Sequence, residues 1–218
     1  KFIFDTFDTC LKVNEPNYLE ELNKYIVKNK IDIVIPISEP ELRFYTENKE
    51  AANYFQTAHV LMADNFSREI GFDKRKTCVF LEENGLPFPK LYSLEKEEEI
   101  IFPLIAKPRT GAGSSNIFVV DAIDELKFIS QKYKDLILQE MLDGSKGEFT
   151  CCVYRSQKNE IRTIIFKREL TTGGYSGYGE VVENNKIEEL LLNLAKLLDL
   201  KGSINVQLRL HKEQPVIF

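Results

Sequence analysis

Between Ile187 and Leu210 two hydrophobic periods run back to back, and together they restrict the fold more than any other stretch. Ile187, Leu190, Leu191, Leu194, Leu197 and Leu198 recur at helical spacing and form the strongest amphipathic helix in the chain, ended by Gly202. Ser203 to Leu210 then alternates without a fault: Ser203, Asn205, Gln207 and Arg209 on one face, Ile204, Val206, Leu208 and Leu210 on the other. A one-sided helix beside a one-sided strand belongs to a mixed α and β architecture.

The preceding residues repeat the strand period. Glu148 to Arg155 and Ile161 to Arg168 alternate well enough for an antiparallel hairpin across Ser156 to Glu160, and Leu136 to Leu142 reads as another strand. Phe102 to Lys107 reads as a strand, residues 109–115 as a glycine and serine loop, and Ile117 to Val120 as a second strand antiparallel to the first. Asp121 is expected to cap a helix whose Ala122, Leu126, Ile129 and Tyr133 share a face, and Asp73 a helix to about Glu83 that Asn84, Gly85, Leu86 and Pro87 end.

The first sixty or so residues differ. Pro16 precedes Tyr18, Leu19, Leu22, Tyr25 and Ile26 at helical spacing, Ile31 to Ile37 is a nearly continuous apolar run, and a helix is predicted from about Pro40 to Phe55. This is the pattern of an open α/β layer with a parallel sheet. The expected division is a partial α/β domain over residues 1–65 and a second domain over 66–218.

Composition excludes several classes. A chain of 218 residues can build a core without disulfide or metal staples, and no apolar run approaches membrane-spanning length. Acidic residues outnumber basic ones, 34 to 29, for a net charge of -5, with Lys and Arg dispersed, so nucleic acid is not an expected partner. Cys10, Cys78, Cys151 and Cys152 lack the spacing of a disulfide framework or zinc site and read as reduced core residues, which fits a cytoplasm. No secretory signal is visible; residue 1 is Lys and the last residues, Val216, Ile217 and Phe218, read as a strand cut in mid-course, so a segment of a longer protein is expected.

Chemistry concentrates in FPLIAKPRTGAGSSN, where a strand delivers Lys107 and Arg109 beside Gly111, Ala112, Gly113, Ser114 and Ser115. A loop of so little side-chain bulk can close its backbone N–H groups on phosphate oxygens while Lys107 neutralises charge, although a flexible hairpin with a solvated lysine has the same composition. Neither a Walker A loop nor a dinucleotide fingerprint fits. Asp73, Lys74, Arg75 and Lys76 at a predicted helix start could hold a phosphate or be a solvated first turn. Gln139, Glu140, Met141 and Leu142 lead into Asp143, Gly144, Ser145, Lys146, Gly147 and Glu148, either an ordinary hairpin or an adenine slot with Glu148 on the ribose. Asn205 and Gln207 offer oxygen ligands for Mg²⁺, and Arg209 a cation, unless their face is simply solvated. Lys167 and Arg168 precede a stretch from Thr171 to Gly179 that reads as a mobile loop over a site or as a plain surface loop.

In order, IDIVIPISEPEL, GFDKRKTCVFLEENGLPFPK, FPLIAKPRTGAGSSNIFVV, LILQEMLDGSKGEF and GSINVQLRL resemble the ATP-grasp superfamily, and most closely the ATP-binding domain of carbamoyl-phosphate synthetase large-chain-like proteins. The resemblance covers nearly the whole chain. It implies an ATP-grasp fold, two α+β lobes around a nucleotide with residues 102–142 as the lid lobe, preceded by a partial Rossmann-like pre-ATP-grasp domain whose first strand and glycine turn are missing. It implies that Lys74 and Lys107 contact phosphates, that the loop with Gly111, Gly113, Ser114 and Ser115 acts as a lid, and that adenine lies by Glu140, Met141 and Leu142. Glu148 matches the ribose-binding acid and Gln207 a residue that helps hold Mg²⁺ or Mn²⁺. In the family a Glu-x-Asn-Pro-Arg motif follows; this sequence stops short of it, at Phe218.

The activity implied is that of an ATP-dependent carboxylate–amine ligase working through an acyl phosphate. Its partners are ATP, a small-molecule carboxylate and an amine, with Lys167, Arg168 and Arg209 as catalytic cations and a homodimer allowed. Two other readings stay open: a non-catalytic ATP-binding module of a larger assembly, and phosphoryl transfer to a non-carboxylate acceptor.

Overall fold

The structure is a computed structural model that describes residues 6–111, 116–172, 174 and 176–218. Two compact units divide between Asn65 and Phe66. The first holds α1 (Tyr18–Asn29), β1 (Ile33–Val34), α2 (Glu39–Glu47), a 3₁₀ turn (Lys49–Asn53) and β2 (His59–Val60). β1 and β2 pair in parallel, Ile33 opposite His59, and Ile26, Tyr45, Ala51, Phe55 and Val60 form the core. Ser38 opens α2 reciprocally, its hydroxyl accepting from the Glu41 N–H while the Glu41 carboxylate accepts from the Ser38 N–H.

Two expectations for this unit change. α2 stops at Glu47 instead of Phe55, because Asn48 leaves helical geometry and its side-chain amide donates to the Phe44 carbonyl at 2.9 Å. Pro16 lies outside α1, which begins after Asn17 in a left-handed conformation, φ 67°.

The second unit follows as α3 (Asn65–Gly71), α4 (Lys74–Glu83), β3 (Leu91–Tyr92), a 3₁₀ segment (Leu94–Glu99), β4 (Leu104–Pro108), β5 (Phe118–Val120), α5 (Ile123–Lys132), β6 (Leu136–Glu140), β7 (Glu148–Arg155), β8 (Ile161–Leu170), β9 (Ser176–Val181), α6 (Asn185–Leu197), β10 (Gly202–His211) and β11 (Gln214–Ile217). Its strands form two antiparallel sheets, one ordered β3-β6-β4-β5 and one ordered β11-β10-β7-β8-β9. Leu104, Ala106, Val120 and Leu138 of the first sheet pack with Leu126 and Ile129 of α5.

In the larger sheet α6 covers one face, started by Asn184, whose side-chain oxygen accepts from the Ile187 N–H at 3.1 Å. Ile187, Leu190, Leu191, Leu194 and Ala195 are buried with Phe149, Cys151, Val153, Ile165, Val206 and Leu208. The other face receives what strand alternation places there, Glu148, Thr150 and Cys152 from β7 and Asn205, Gln207 and Arg209 from β10. Gly147, just before β7, has φ 99°, a conformation that residues with a Cβ rarely adopt, which suits glycine to the turn.

Other sequence expectations need correction. Asp121 does not cap α5: the first position is Ala122, without a side-chain cap, and Asp121 instead donates its N–H to Glu125 at 3.1 Å. Ser176 to Gly179 belong to β9, the edge strand of the large sheet, and not to a loop; its glycines and exposed side chains carry no alternation to read. Gly202 opens β10, while α6 already ends at Leu197. Cys78 and Cys151 are buried, but Cys10 and Cys152 are exposed; all four are free. Among the described residues no helix is long and apolar enough to cross a membrane.

The burial of α6 yields one expected outcome. Leu191 is fully buried, so Leu191→Ala should lower the unfolding free energy by about 2–5 kcal/mol, read as a lower urea midpoint with an unchanged slope.

Candidate functional site

On the four-stranded sheet, Lys107 pairs with Ile137 and Ile105 with Gln139, on the face turned away from α5. Lys107 is only 7% exposed and Gln139 2%, and the Gln139 amide donates to Cys78 Sγ of α4 at 3.1 Å. Burial pushes the Lys107 ammonium down to about 8; the Lys74 and Arg209 charges push the same way, Cys78 and Glu148 against it.

Asp73 fixes α4 against β4. Its carboxylate accepts from the Arg75 and Lys76 N–H groups at 3.0 and 3.2 Å and from Arg109, at 2.9 Å from Nε and 2.7 Å from Nη2. The Arg109 hydrogen bond holds this carboxyl below its ordinary value. The Lys74 N–H donates to the Arg109 carbonyl at 3.0 Å and Lys74 Nζ to the Gly111 carbonyl at 2.8 Å. Arg109, read from sequence as a cation facing the small-residue loop, is therefore engaged by Asp73. Gly113, Ser114 and Ser115 lie outside the described residues.

On the five-stranded sheet, Glu148 stands opposite Arg168 of β8 and Arg209 of β10. Its Oε1 accepts from Arg168 Nε at 3.1 Å and Nη2 at 2.6 Å, and its Oε2 from Arg209 Nε at 3.0 Å and Nη2 at 2.7 Å. Gln207, opposite Thr150, shares this face, as does Asn205, whose side-chain oxygen accepts from Thr150 Oγ1 at 2.7 Å. Lys167 does not join them: it pairs with buried Phe149 on the α6 face, and its stem lies against Gly147.

The two sheets bring their cations to one ring. Lys107 Nζ lies 5.3 Å and Arg209 Cζ 5.4 Å from the centroid of Phe218, whose N–H donates to the Gln207 carbonyl at 3.2 Å. Sequence reading missed Phe218, because only the β10–β11 hairpin returns it to the site. Between the sheets run Glu140, Met141 and Leu142. The Glu140 N–H donates to the Lys90 carbonyl at 2.8 Å, Met141 is exposed, Leu142 is buried, and the Leu142 carbonyl accepts from Arg209 Nη1 at 3.3 Å.

Chemically this is a cationic cluster beside an aromatic ring, a combination suited to a polyphosphate carrying a flat apolar group. It does not by itself make a magnesium site. Gln207 offers one neutral amide oxygen, and no cluster of three His, Cys, Asp or Glu stands ready for a metal among the described residues.

Comparison with known proteins bears on the family and the fold. Carbamoyl-phosphate synthase of Methanobrevibacter smithii is 20% identical over 93% of this chain and 59% of its own length, and D-alanine–D-alanine ligase of Aquifex aeolicus is 22% identical over 72% and 60%. The chain thus spans less than two thirds of each. Among solved structures, the biotin carboxylase domain of Hydrogenobacter thermophilus 2-oxoglutarate carboxylase, bound to MgADP, ADP and bicarbonate, superimposes with a TM-score of 0.71 at 14% identity, covering 95% of this chain and 52% of that one. D-alanine–D-alanine ligase of Bacillus anthracis, bound to ATP, gives 0.66 at 17% identity, covering 94% and 71%. These structural likenesses concern the fold. The model of the ATP-grasp domain matches residues 72–218, two thirds of the sequence, and the chain belongs to the ATP-grasp family.

Proposed function

We propose that this chain is the ATP-binding part of an ATP-dependent carboxylate–amine ligase. The observation that carries the reading is the clustering of Lys74, Lys107 and Arg209, with Arg168 joined to them through Glu148. Such an excess of cations, with Lys107 losing its charge at an unusually low pH, fits a polyanionic ligand that restores it. ATP would set its phosphates against Lys74 and Lys107 and its adenine beside Glu140, Met141, Leu142 and the Phe218 ring. Relatives that are ligases support the reaction class.

In that reaction a substrate carboxylate oxygen attacks the γ-phosphorus, ADP leaves, and an amine displaces phosphate from the acyl phosphate. Arg168 and Arg209 would stabilise the charge that spreads over the transferred group. Mg²⁺ would accompany the nucleotide and neutralise its phosphates, with Gln207 as one oxygen donor.

Mg²⁺-ATP should raise the melting temperature where Mg²⁺-GTP does not; equal shifts would count against an adenine slot. With hydroxylamine in place of the amine, a ligase should form hydroxamate from its carboxylate in an ATP-dependent manner, whereas a binding module or an alcohol kinase should form none. Lys107 gives a signed pH dependence. Its ordinary value of 10.5 is depressed to about 8, so above that pH the free protein loses a charge that a polyphosphate needs. ATP affinity should be flat below about pH 8 and fall above it; Lys107→Met should weaken binding and abolish the slope, checked by titration calorimetry across the range.

A further inference from the structure

We propose that His211 is a positioning residue for the segment that joins the two sheets, an inference that rests on the nucleotide reading above for what the segment meets and adds a residue to it. The chain leaves β6 at Glu140 and enters β7 at Glu148. His211, the last residue of β10, touches that connection at both ends of its first stretch: its Nδ1 accepts from the Asp143 N–H at 3.3 Å, and its Nε2 lies 3.8 Å from Glu140 Oε1. Met141 and Leu142 stand between those points in sequence. Strand alternation puts Arg209 on the same side of β10 as His211, and Arg209 Nη1 donates to the Leu142 carbonyl at 3.3 Å. The end of one strand thus grips Glu140, Leu142 and Asp143 together.

The imidazole can do this in one protonation state. A ring nitrogen that accepts an N–H carries no proton, so His211 is neutral with its hydrogen on Nε2, the nitrogen nearest Glu140. Both residues it touches are anchored on their far sides. The Glu140 carboxylate accepts from the Lys90 N–H at 3.3 Å, and the Asp143 carboxylate accepts from the Ser145 N–H at 2.8 Å and its hydroxyl at 2.7 Å. The Ser145 bonds hold the Asp143 carboxyl below its ordinary value, and His211 and Lys146 act in the same direction. Glu213, in the turn after β10, pairs with Lys146 at 3.2 Å. Acid would place a second hydrogen on Nδ1, donor against the Asp143 donor, and that bond must break even though the Glu140 and Asp143 carboxylates attract the charged ring. Neutral His211 therefore sets the backbone of Met141 and Leu142, the residues read above as lying beside the base.

The test begins with solvent exchange of the Asp143 amide, followed by NMR in the whole chain and corrected for the intrinsic pH dependence of exchange. Protection should be present at about pH 8 and fall by about fivefold at about pH 5.5. His211→Gln, whose amide oxygen can accept without titrating, should keep the protection at both pH values, and His211→Phe should lack it at both. Wild-type protection that ignores pH, or that survives in His211→Phe, would overturn the proposal. Titration calorimetry at about pH 7.5 then reads the consequence: His211→Phe should weaken ATP by about fivefold, His211→Gln should restore it, and inorganic tripolyphosphate, which has no base, should bind all three proteins within about twofold. Equal losses for ATP and tripolyphosphate would also overturn it. Absence of ATP binding to the wild type would remove the nucleotide reading, while the exchange data still decide whether His211 holds the segment. Should His211→Phe fail to fold, the wild type and His211→Gln suffice, because a Gln variant that loses protection in acid as the wild type does would refute the role of the imidazole.

Discussion

Because α6 must hide its leucine stripe, the five-stranded sheet surrenders one face to it, and alternation sends every second side chain to the other. That constraint decides the chemistry of the cleft. Phe149, Cys151 and Val153 go under the helix, so Glu148 and Thr150 cannot; Val206 and Leu208 go under it, so Gln207 and Arg209 face outward. A shift of one residue in the pairing of β7 with β10 would take Arg209 off the face that Glu148 occupies and part it from that carboxylate. Hydrophobic burial on one side thus enforces polar register on the other.

Electrostatics on the smaller sheet follow a different logic. Lys107 is carried inward by a strand that is otherwise apolar, and its charge is opposed by burial and by two cationic neighbours. Among the described residues no carboxylate of its own sheet forms an ion pair with it. Arg109, two residues on, is by contrast well paired with Asp73 and serves structure. Cations of similar appearance in the sequence therefore do opposite work, one stabilising the helix start and one left short of negative charge.

How much of this could be read in advance depends on the range of the interaction. Periodicity is local, so α6, β10, the β7–β8 hairpin and the Asp73 cap were legible, as was the opposite facing of Cys151 and Cys152. Registers across strands are not local. Adjacent Lys167 and Arg168 looked equivalent until the pairing of β8 with β7 sent them to opposite faces. The guanidinium engagement of Glu148 joins residues 20 and 61 positions away, and no spacing rule reaches that far. β9 escaped because an exposed glycine-bearing edge strand has no apolar face to betray it. The family resemblance supplied the order of the site segments, but not which acceptors were already filled.

The ties around Asp73 have a mechanical consequence. Lys74 and Lys107 hang on one welded piece, since the start of α4 is bound to the end of β4 through side chain and backbone alike. Arg168 and Arg209 hang on another, fastened by Glu148. Those ties set the spacing within each pair. The Phe218 ring, touched by one cation from each piece, bridges the two pairs, and the Ile217 N–H bond to the Pro87 carbonyl and the Arg209 bond to the Leu142 carbonyl fasten the same seam, so the ring is clamped between the cations and not left to swing.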